Sequence, residues 1–368
     1  MIPVNAPLLG ERERELVLES LASTWISGRG KYVSAFEEAF AAYCGARFGV
    51  TTPTGTTALH LALAALGIGP GDEVIMPALT IISCAFAITY TGARPVLVDS
   101  EPETGNLDWT RLEGAITPRT RAIMPVHLYG HPLDLDPLLE IAHRHGLAVV
   151  EDAAEAHGAL YRGRPVGGIG TAGCFSFYAN KLVTTGEGGM VVTSDPQLAD
   201  HARRLRDLAH TRERRFVHDE IGFNYQMTNL QAAMGLAQLE RIDDSIALKR
   251  RMAAQYAEGL SGVPGLILPI EAPWVRSVYW MYAVRLDRGA RCSRDQAMAR
   301  LHERGVDTRT FFVPMHWQPV FLQRGWFTDE QYPVAEALSQ TGFYLPSGLA
   351  ITPEEIEQVC EAVRAVLT

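Results

Sequence analysis

The chain predicts a layered α/β fold with a mostly parallel seven-stranded sheet, followed by a smaller α+β unit. Two observations carry this. Short apolar runs alternate with helical stretches through the first half of the chain, and several are apolar on both faces, as in strands covered by helices on each side. The length, 368 residues, also exceeds what one compact core usually holds. The strand candidates are residues 47–52, 73–77, 95–99, 121–126, 147–151, 172–177 and 188–193. Between the early ones lie helical patterns at 56–66, 81–90 and 135–145, closed near Gly67, Gly92 and Gly146, where a left-handed cap suits glycine. Residues 228–260 read as one long helix bridging out of the large domain. Beyond Gly265, a strand near 279–286 and helices near 294–304 and 353–367 complete the small unit. The expected domains are 1–245 and 246–368.

Composition narrows the function. A net charge of −9 disfavours nucleic acid as a partner. The five cysteines are scattered without a Cys-x-x-Cys pair, so reduced thiols, a cytoplasmic setting and no zinc site are expected. No apolar run is long enough to span a membrane, and the first residues lack a leader pattern. Of 33 Lys plus Arg residues, only Lys31, Lys181 and Lys249 are lysines. Arginine keeps its proton, whereas a desolvated lysine can lose it and become a nucleophile. Lys181, set among small and apolar residues, is therefore either a Schiff-base former or a loop lysine paired with Glu187.

Four motifs fall at strand ends, where ligands collect in such sheets. Thr54-Gly55-Thr56-Thr57 opens a helix and suits a phosphate, or is an ordinary N-cap. Asp152, at the end of an apolar strand, either holds a heterocyclic nitrogen protonated or caps the next segment. Glu151, Asp152 and Glu155 lack further metal-ligand spacing, so no metal is expected. Ser176 and Lys181 precede the tight turn Gly186-Glu-Gly-Gly189. Asn224, in Gly222-Phe-Asn-Tyr225, either caps the long helix or reaches a ligand. Arg203, Arg204, Arg206, Arg212, Arg214 and Arg215 form a basic run that is either a diphosphate site or a solvated face.

In order along the chain, Thr54-Gly-Thr-Thr-Ala-Leu-His-Leu-Ala-Leu63, Gly67-Ile-Gly-Pro-Gly-Asp-Glu-Val74, Pro125-Val-His-Leu-Tyr-Gly130, Glu151-Asp-Ala-Ala-Glu-Ala-His-Gly158, the run from Ser176 to Gly189 and Gly222-Phe-Asn-Tyr225 resemble the DegT/DnrJ/EryC1/StrS sugar aminotransferases. The resemblance implies the aspartate aminotransferase fold (fold type I) with pyridoxal 5′-phosphate as cofactor and its pyridoxamine form as intermediate. Lys181 is then the Schiff-base lysine and Asp152 the partner of the pyridine nitrogen. Gly55, Thr56, Thr57 and Ser176 become the phosphate cradle, with Asn224 reaching the cofactor of a neighbouring subunit in a homodimer. Related sugar dehydratases carry histidine where Lys181 stands, so lysine favours amino transfer.

Thr24-Trp-Ile-Ser27, Glu155 and the segment 123–130 are most similar to the subgroup that aminates C4 of nucleotide-linked 4-keto-6-deoxysugars, with L-glutamate as donor. A C3-keto sugar or keto-cyclitol aminotransferase is the alternative, followed by a lyase of the same fold. Trp25, Arg215 and His316 are candidates for the sugar nucleotide. Two positions depart from the commoner pattern. Ile81 stands where an aromatic residue usually stacks on the cofactor ring, and Glu155 stands where glutamine is usual, near the ring's O3′ oxygen.

Overall fold

The structure, a computed structural model, describes residues 1–211 and 213–368; Arg212 of the basic run lies outside the described residues. The strands in chain order begin with β1 (Phe48–Thr52), β2 (Glu73–Pro77), β3 (Arg94–Val98), β4 (Thr120–Ile123) and β5 (Ala148–Asp152). A small hairpin follows, β6 (Leu160–Tyr161) and β7 (Arg164–Pro165), and then β8 (Ala172–Ser176) and β9 (Gly189–Thr193). The main sheet has seven strands in the order β1-β9-β8-β5-β4-β2-β3. Its pairings are parallel from β8 to β3, while β9 runs antiparallel to both β1 and β8.

Alternation along each strand divides the interior in two. Val74, Met76, Cys174 and Val191 face one way, against Leu59 and Leu63 of the helix Gly55–Ala65, Ile88 of Ile82–Tyr90 and Leu205 of Pro196–Arg206. Ile75, Phe175, Met190 and Val192 face the other way, against Phe36 and Phe40 of Lys31–Tyr43, Leu138 of Leu135–His145 and Ala233 of Asn229–Leu239. Both faces are thus covered, and the carboxyl ends of the parallel strands are left as the open edge.

The later strands are β10 (Leu266–Ile267), β11 (Val275–Arg276), β12 (Tyr282–Leu286), β13 (Arg309–Thr310) and β14 (Gly342–Leu345). β10, β12, β14 and β13 form an antiparallel sheet, and β11 joins the β6–β7 hairpin. A third core lies on the antiparallel sheet, where Tyr256, Tyr282, Val284, Phe343, Val359 and Val363 pack together.

Some expected elements differ. The helix expected over 228–260 breaks into Asn229–Leu239 and Ile242–Leu260. At the break Arg241 leaves helical geometry (φ −122°, ψ 19°), and its guanidinium anchors the chain to Glu13 (2.5 Å) and the Leu8 carbonyl. The strand expected from 279 begins at Tyr282, because Tyr279 sits at φ 48° and cannot continue a strand. Helices Glu11–Ala22, Lys31–Tyr43 and Pro196–Arg206 were not anticipated. Glu11–Ala22 is largely charged and only weakly patterned, and it gains its order by packing on Asn229–Leu239.

Candidate active site

A cavity of about 430 Å³ opens at the carboxyl ends of β1, β2, β5 and β8. Its floor comes from Thr54, Gly55, Thr56, Ile81, Ser83, Asp152, Glu155, Ser176 and Lys181, and its far wall from Trp280, Phe312 and Tyr344.

The helix Gly55–Ala65 starts at this floor. Thr54 caps it by accepting from the Thr57 amide (3.2 Å), while Thr57 Oγ accepts from the Thr54 amide (3.0 Å) and donates to the Thr54 carbonyl. The Thr57 hydroxyl is therefore engaged in the cap and does not line the cavity, unlike the phosphate ligand expected of it. Thr56 Oγ does line it and donates to Ser83 Oγ at 2.9 Å, beside the start of the helix Ile82–Tyr90. Two helix N-termini with hydroxyls from Thr56, Ser83 and Ser176 thus converge. A Cβ on Gly55 would sit 2.6 Å from Ser176 Cβ, so only glycine lets the helix start meet the end of β8. Backbone amides and positive helix ends with hydroxyls around them suit a phosphate.

Lys181 hangs from the connection between β8 and β9. Its amide donates to the Tyr178 carbonyl (2.9 Å), Phe177 and Gly188 pair across the turn (2.9 Å), and Gly186 adopts φ +79° at the tip. The side chain is mostly buried, with Nζ 3.9 Å from Glu155 Oε1 and 3.8 Å from the centre of the Trp280 ring. Burial lowers the pKa of its amine, against an upward pull from Glu155 and Asp152. The carboxylate facing Lys181 is thus Glu155 rather than Glu187.

Glu155 is held by the Tyr129 amide, which donates to Oε2 at 2.7 Å from a residue at φ 53°. Burial pushes its pKa up to about 7, aided by Asp152 and opposed by Lys181 and the Tyr129 amide. Asp152 ends β5 with Oδ1 accepting from the Ala154 amide (3.0 Å), an Asx-type turn rather than a helix cap. Its Oδ2 accepts from the buried Cys84 thiol at 2.9 Å. Neighbouring Glu151 does different work. It is fully buried and accepts from the amides of Gly167 (2.7 Å), Ile169 (2.9 Å) and Gly170 (2.6 Å) and from His127 Nε2 (3.0 Å). His127 Nδ1 accepts from the Leu133 amide, so its proton sits on Nε2 and points at Glu151. Those hydrogen bonds keep the Glu151 pKa low in spite of burial.

Gly55, Thr56, Ile81, Asp152, Glu155, Ser176 and Lys181 are therefore brought together; Asn224, Trp25, Arg215 and His316 are not among the residues lining this cavity. Asn224 is exposed on the segment after Pro196–Arg206, and Trp25 is largely exposed. Arg215 lies over the Phe216 ring at the surface. His316 is buried on Glu336 (3.0 Å) between Trp317 and Tyr332. Of the upstream arginines, Arg203 donates to the Gly49 carbonyl, Arg204 pairs with Asp219 and Arg206 with Glu37. Ser83, Tyr178, Asn180, Trp280 and Tyr344 line the cavity without having been singled out.

A lowered lysine beside two carboxylates, next to a phosphate cradle at the open edge of this sheet, defines a pyridoxal phosphate-dependent enzyme of the aspartate aminotransferase fold. The residues fit that cofactor: the Gly55 approach would be filled by any larger side chain, and Lys181 Nζ points into the cavity. Residues 7–364 match the DegT/DnrJ/EryC1/StrS aminotransferase family, and the chain belongs to it. It is 48% identical to a GDP-perosamine synthase of Caulobacter vibrioides over 100% of this chain and 98% of that protein. A GDP-perosamine synthase of Vibrio cholerae is 36% identical over 99% and 98%. Among solved structures, DesV of S. venezuelae, in complex with a ketimine intermediate, superposes with a TM-score of 0.91 at 40% identity, over 96% of this chain and 94% of that one. The protein is an aminotransferase that uses pyridoxal phosphate in amino-sugar biosynthesis.

Proposed function

We propose that the enzyme moves an amino group from L-glutamate to C4 of a GDP-linked 4-keto-6-deoxyhexose, as a cytoplasmic homodimer. The observation that carries the sugar assignment is the full-length likeness to proteins named GDP-perosamine synthase, at 36% to 48% identity. Exposed Asn224, on a segment that also exposes Phe216 and Ile221, supports reach into the site of a second copy. The lobes 1–245 and 246–368 enclose the site between them in this reading.

When bound, the cofactor supplies an aldehyde that captures amines and a ring that accepts electrons. Thr56, Ser83 and Ser176 with the first amides of Gly55–Ala65 would hold its phosphate, and Asp152 would keep its ring nitrogen protonated. Glu155 would face the ring oxygen. Ile81 would cover the ring without the stacking geometry of an aromatic side chain, which is worth about 0.5–1.5 kcal/mol. Lys181 Nζ, its pKa lowered by burial, takes the proton from the donor's α-carbon and later returns one to the sugar carbon that receives nitrogen. The walls of Trp280, Phe312 and Tyr344 would limit the access of water to that exchange.

The test is to convert the enzyme to its pyridoxamine form with glutamate and add nucleotide ketosugars one at a time. A GDP-linked 4-keto-6-deoxyhexose should restore the absorption at about 400 nm that the lysine-bound cofactor gives, with a 4-amino sugar as product. Preference for a 3-keto isomer or a keto-cyclitol would overturn the C4 assignment.

A further inference from the structure

A second lysine, away from the cavity floor, is fully enclosed. Lys249, on the helix Ile242–Leu260, is 2% exposed, and no salt bridge to a carboxylate is found for it among the described residues. Its Nζ donates to the carbonyl of Trp280 at 2.7 Å and to the carbonyl of Ser347. Burial brings its pKa down to about 7. A buried amine held only by carbonyls is costly to maintain when an apolar side chain of similar volume would fill the same space.

The two carbonyls say what it holds. Trp280 leads into β12, and Ser347 follows β14. The Ser347 hydroxyl accepts from the Tyr282 amide at 2.8 Å and donates to the Leu345 carbonyl at 2.6 Å. Trp280 then reaches the active site twice. Its indole Nε1 donates to the Asn180 carbonyl at 2.8 Å, one residue before Lys181, and its ring face lies 3.8 Å from Lys181 Nζ. A small cavity lined by Asn180, Lys181, Lys249, Trp280 and Ser347 runs along this path.

We propose that Lys249 is a positioning residue for the amino transfer, fixing the backbone of Trp280 so that its indole covers the Lys181 amine. The idea rests on Lys181 as the reacting lysine, but its test does not depend on which sugar is used. With the indole in place, one side of Lys181 Nζ is shielded from water; released, the indole admits water to that side, and hydration favours the ammonium more than the ring face does. Glu155, Asp152 and Cys84 also face Lys181 and are common to every variant compared.

The experiment uses the full-length enzyme in its pyridoxamine form, in which the Lys181 amine is free. Pulse acetylation across pH, read by peptide mass spectrometry, gives the pKa of Lys181 in wild type, Lys249→Met, Trp280→Phe and the double variant. In Lys249→Met the Lys181 pKa should rise by about one unit, and kcat should fall about tenfold or more with little change in KM. In the Trp280→Phe background, which keeps the carbonyl that Lys249 holds, adding Lys249→Met should change either value much less. If Lys249→Met fails to fold, Lys249→Leu, which likewise removes the donor to both carbonyls, is read in the same way. A lowered thermal midpoint with an unchanged Lys181 pKa, or full additivity of the two substitutions, would make Lys249 purely structural and overturn the proposal.

Discussion

Replacing Glu155 with glutamine removes a proton that the folded protein holds and leaves the shape almost unchanged. The amide oxygen of Gln can still accept from the Tyr129 amide, which donates to Glu155 Oε2 at 2.7 Å. What changes is charge. A rise from 4.5 to about 7 corresponds to about 3.5 kcal/mol of preference for the protonated carboxyl, at about 1.4 kcal/mol per pH unit. Because the folded pKa lies above the unfolded one, the folded state binds the proton more tightly. That stabilisation is complete below about pH 4.5 and is lost as pH rises through about 7. The group is buried, so solvent screening reduces the figure little, and the value of about 7 already includes the downward pull of Lys181 Nζ at 3.9 Å. Thermal unfolding of the cofactor-free protein from about pH 5 to about pH 8 should show Glu155→Gln gaining on wild type by about 2–3 kcal/mol over that range. A difference between the two proteins that stays flat with pH would refute the reasoning.

Other substitutions test the site more directly. Lys181→Ala should abolish turnover and the absorption near about 400 nm while cofactor still binds, as measured by equilibrium dialysis; retained absorption would remove Lys181 from its role. Gly55→Ala should cost at least about tenfold in cofactor affinity, since the new methyl meets Ser176 Cβ at 2.6 Å and crowds the phosphate donors, a price of about 1.4 kcal/mol or more. Burial and Asp152 hold the Cys84 thiol well above its usual pKa, so it should stay unmodified by a disulfide reagent until the protein unfolds. Cys84→Ala should weaken cofactor binding only a few-fold, since Asp152 Oδ1 keeps its amide donor; a loss like that of Gly55→Ala would mean the thiol holds Asp152 in place.

The parts legible in the sequence were those written as consecutive residues. The phosphate turn at Thr54–Thr56, the acidic end of β5 and the Lys181 turn each declare themselves within a few positions, because a strand end leading into a turn or helix is local chemistry. Most of the cavity wall was not, since Trp280 and Tyr344 reach it from the second sheet and its loops. Trp280 sits between Tyr279 and Met281, where an aromatic run reads equally well as core. The arginine run left two readings open for a related reason. Arg203, Arg204 and Arg206 close the helix Pro196–Arg206, and their partners at Gly49, Asp219 and Glu37 lie 154, 15 and 169 positions away. Thr57 shows the same limit at short range, since the cap that Thr54 needs and the phosphate site draw on the same hydroxyls.

The Glu151 carboxylate gathers three amides from 167–170, a stretch that belongs to no strand of the main sheet. Those amides exchange with solvent only when the carboxylate lets go, and it lies at the centre of the sheet, on β5. In deuterium exchange, Gly167, Ile169 and Gly170 should thus keep time with the strands rather than with the neighbouring turns. By that measure, the loop beneath the active site is a part of the sheet.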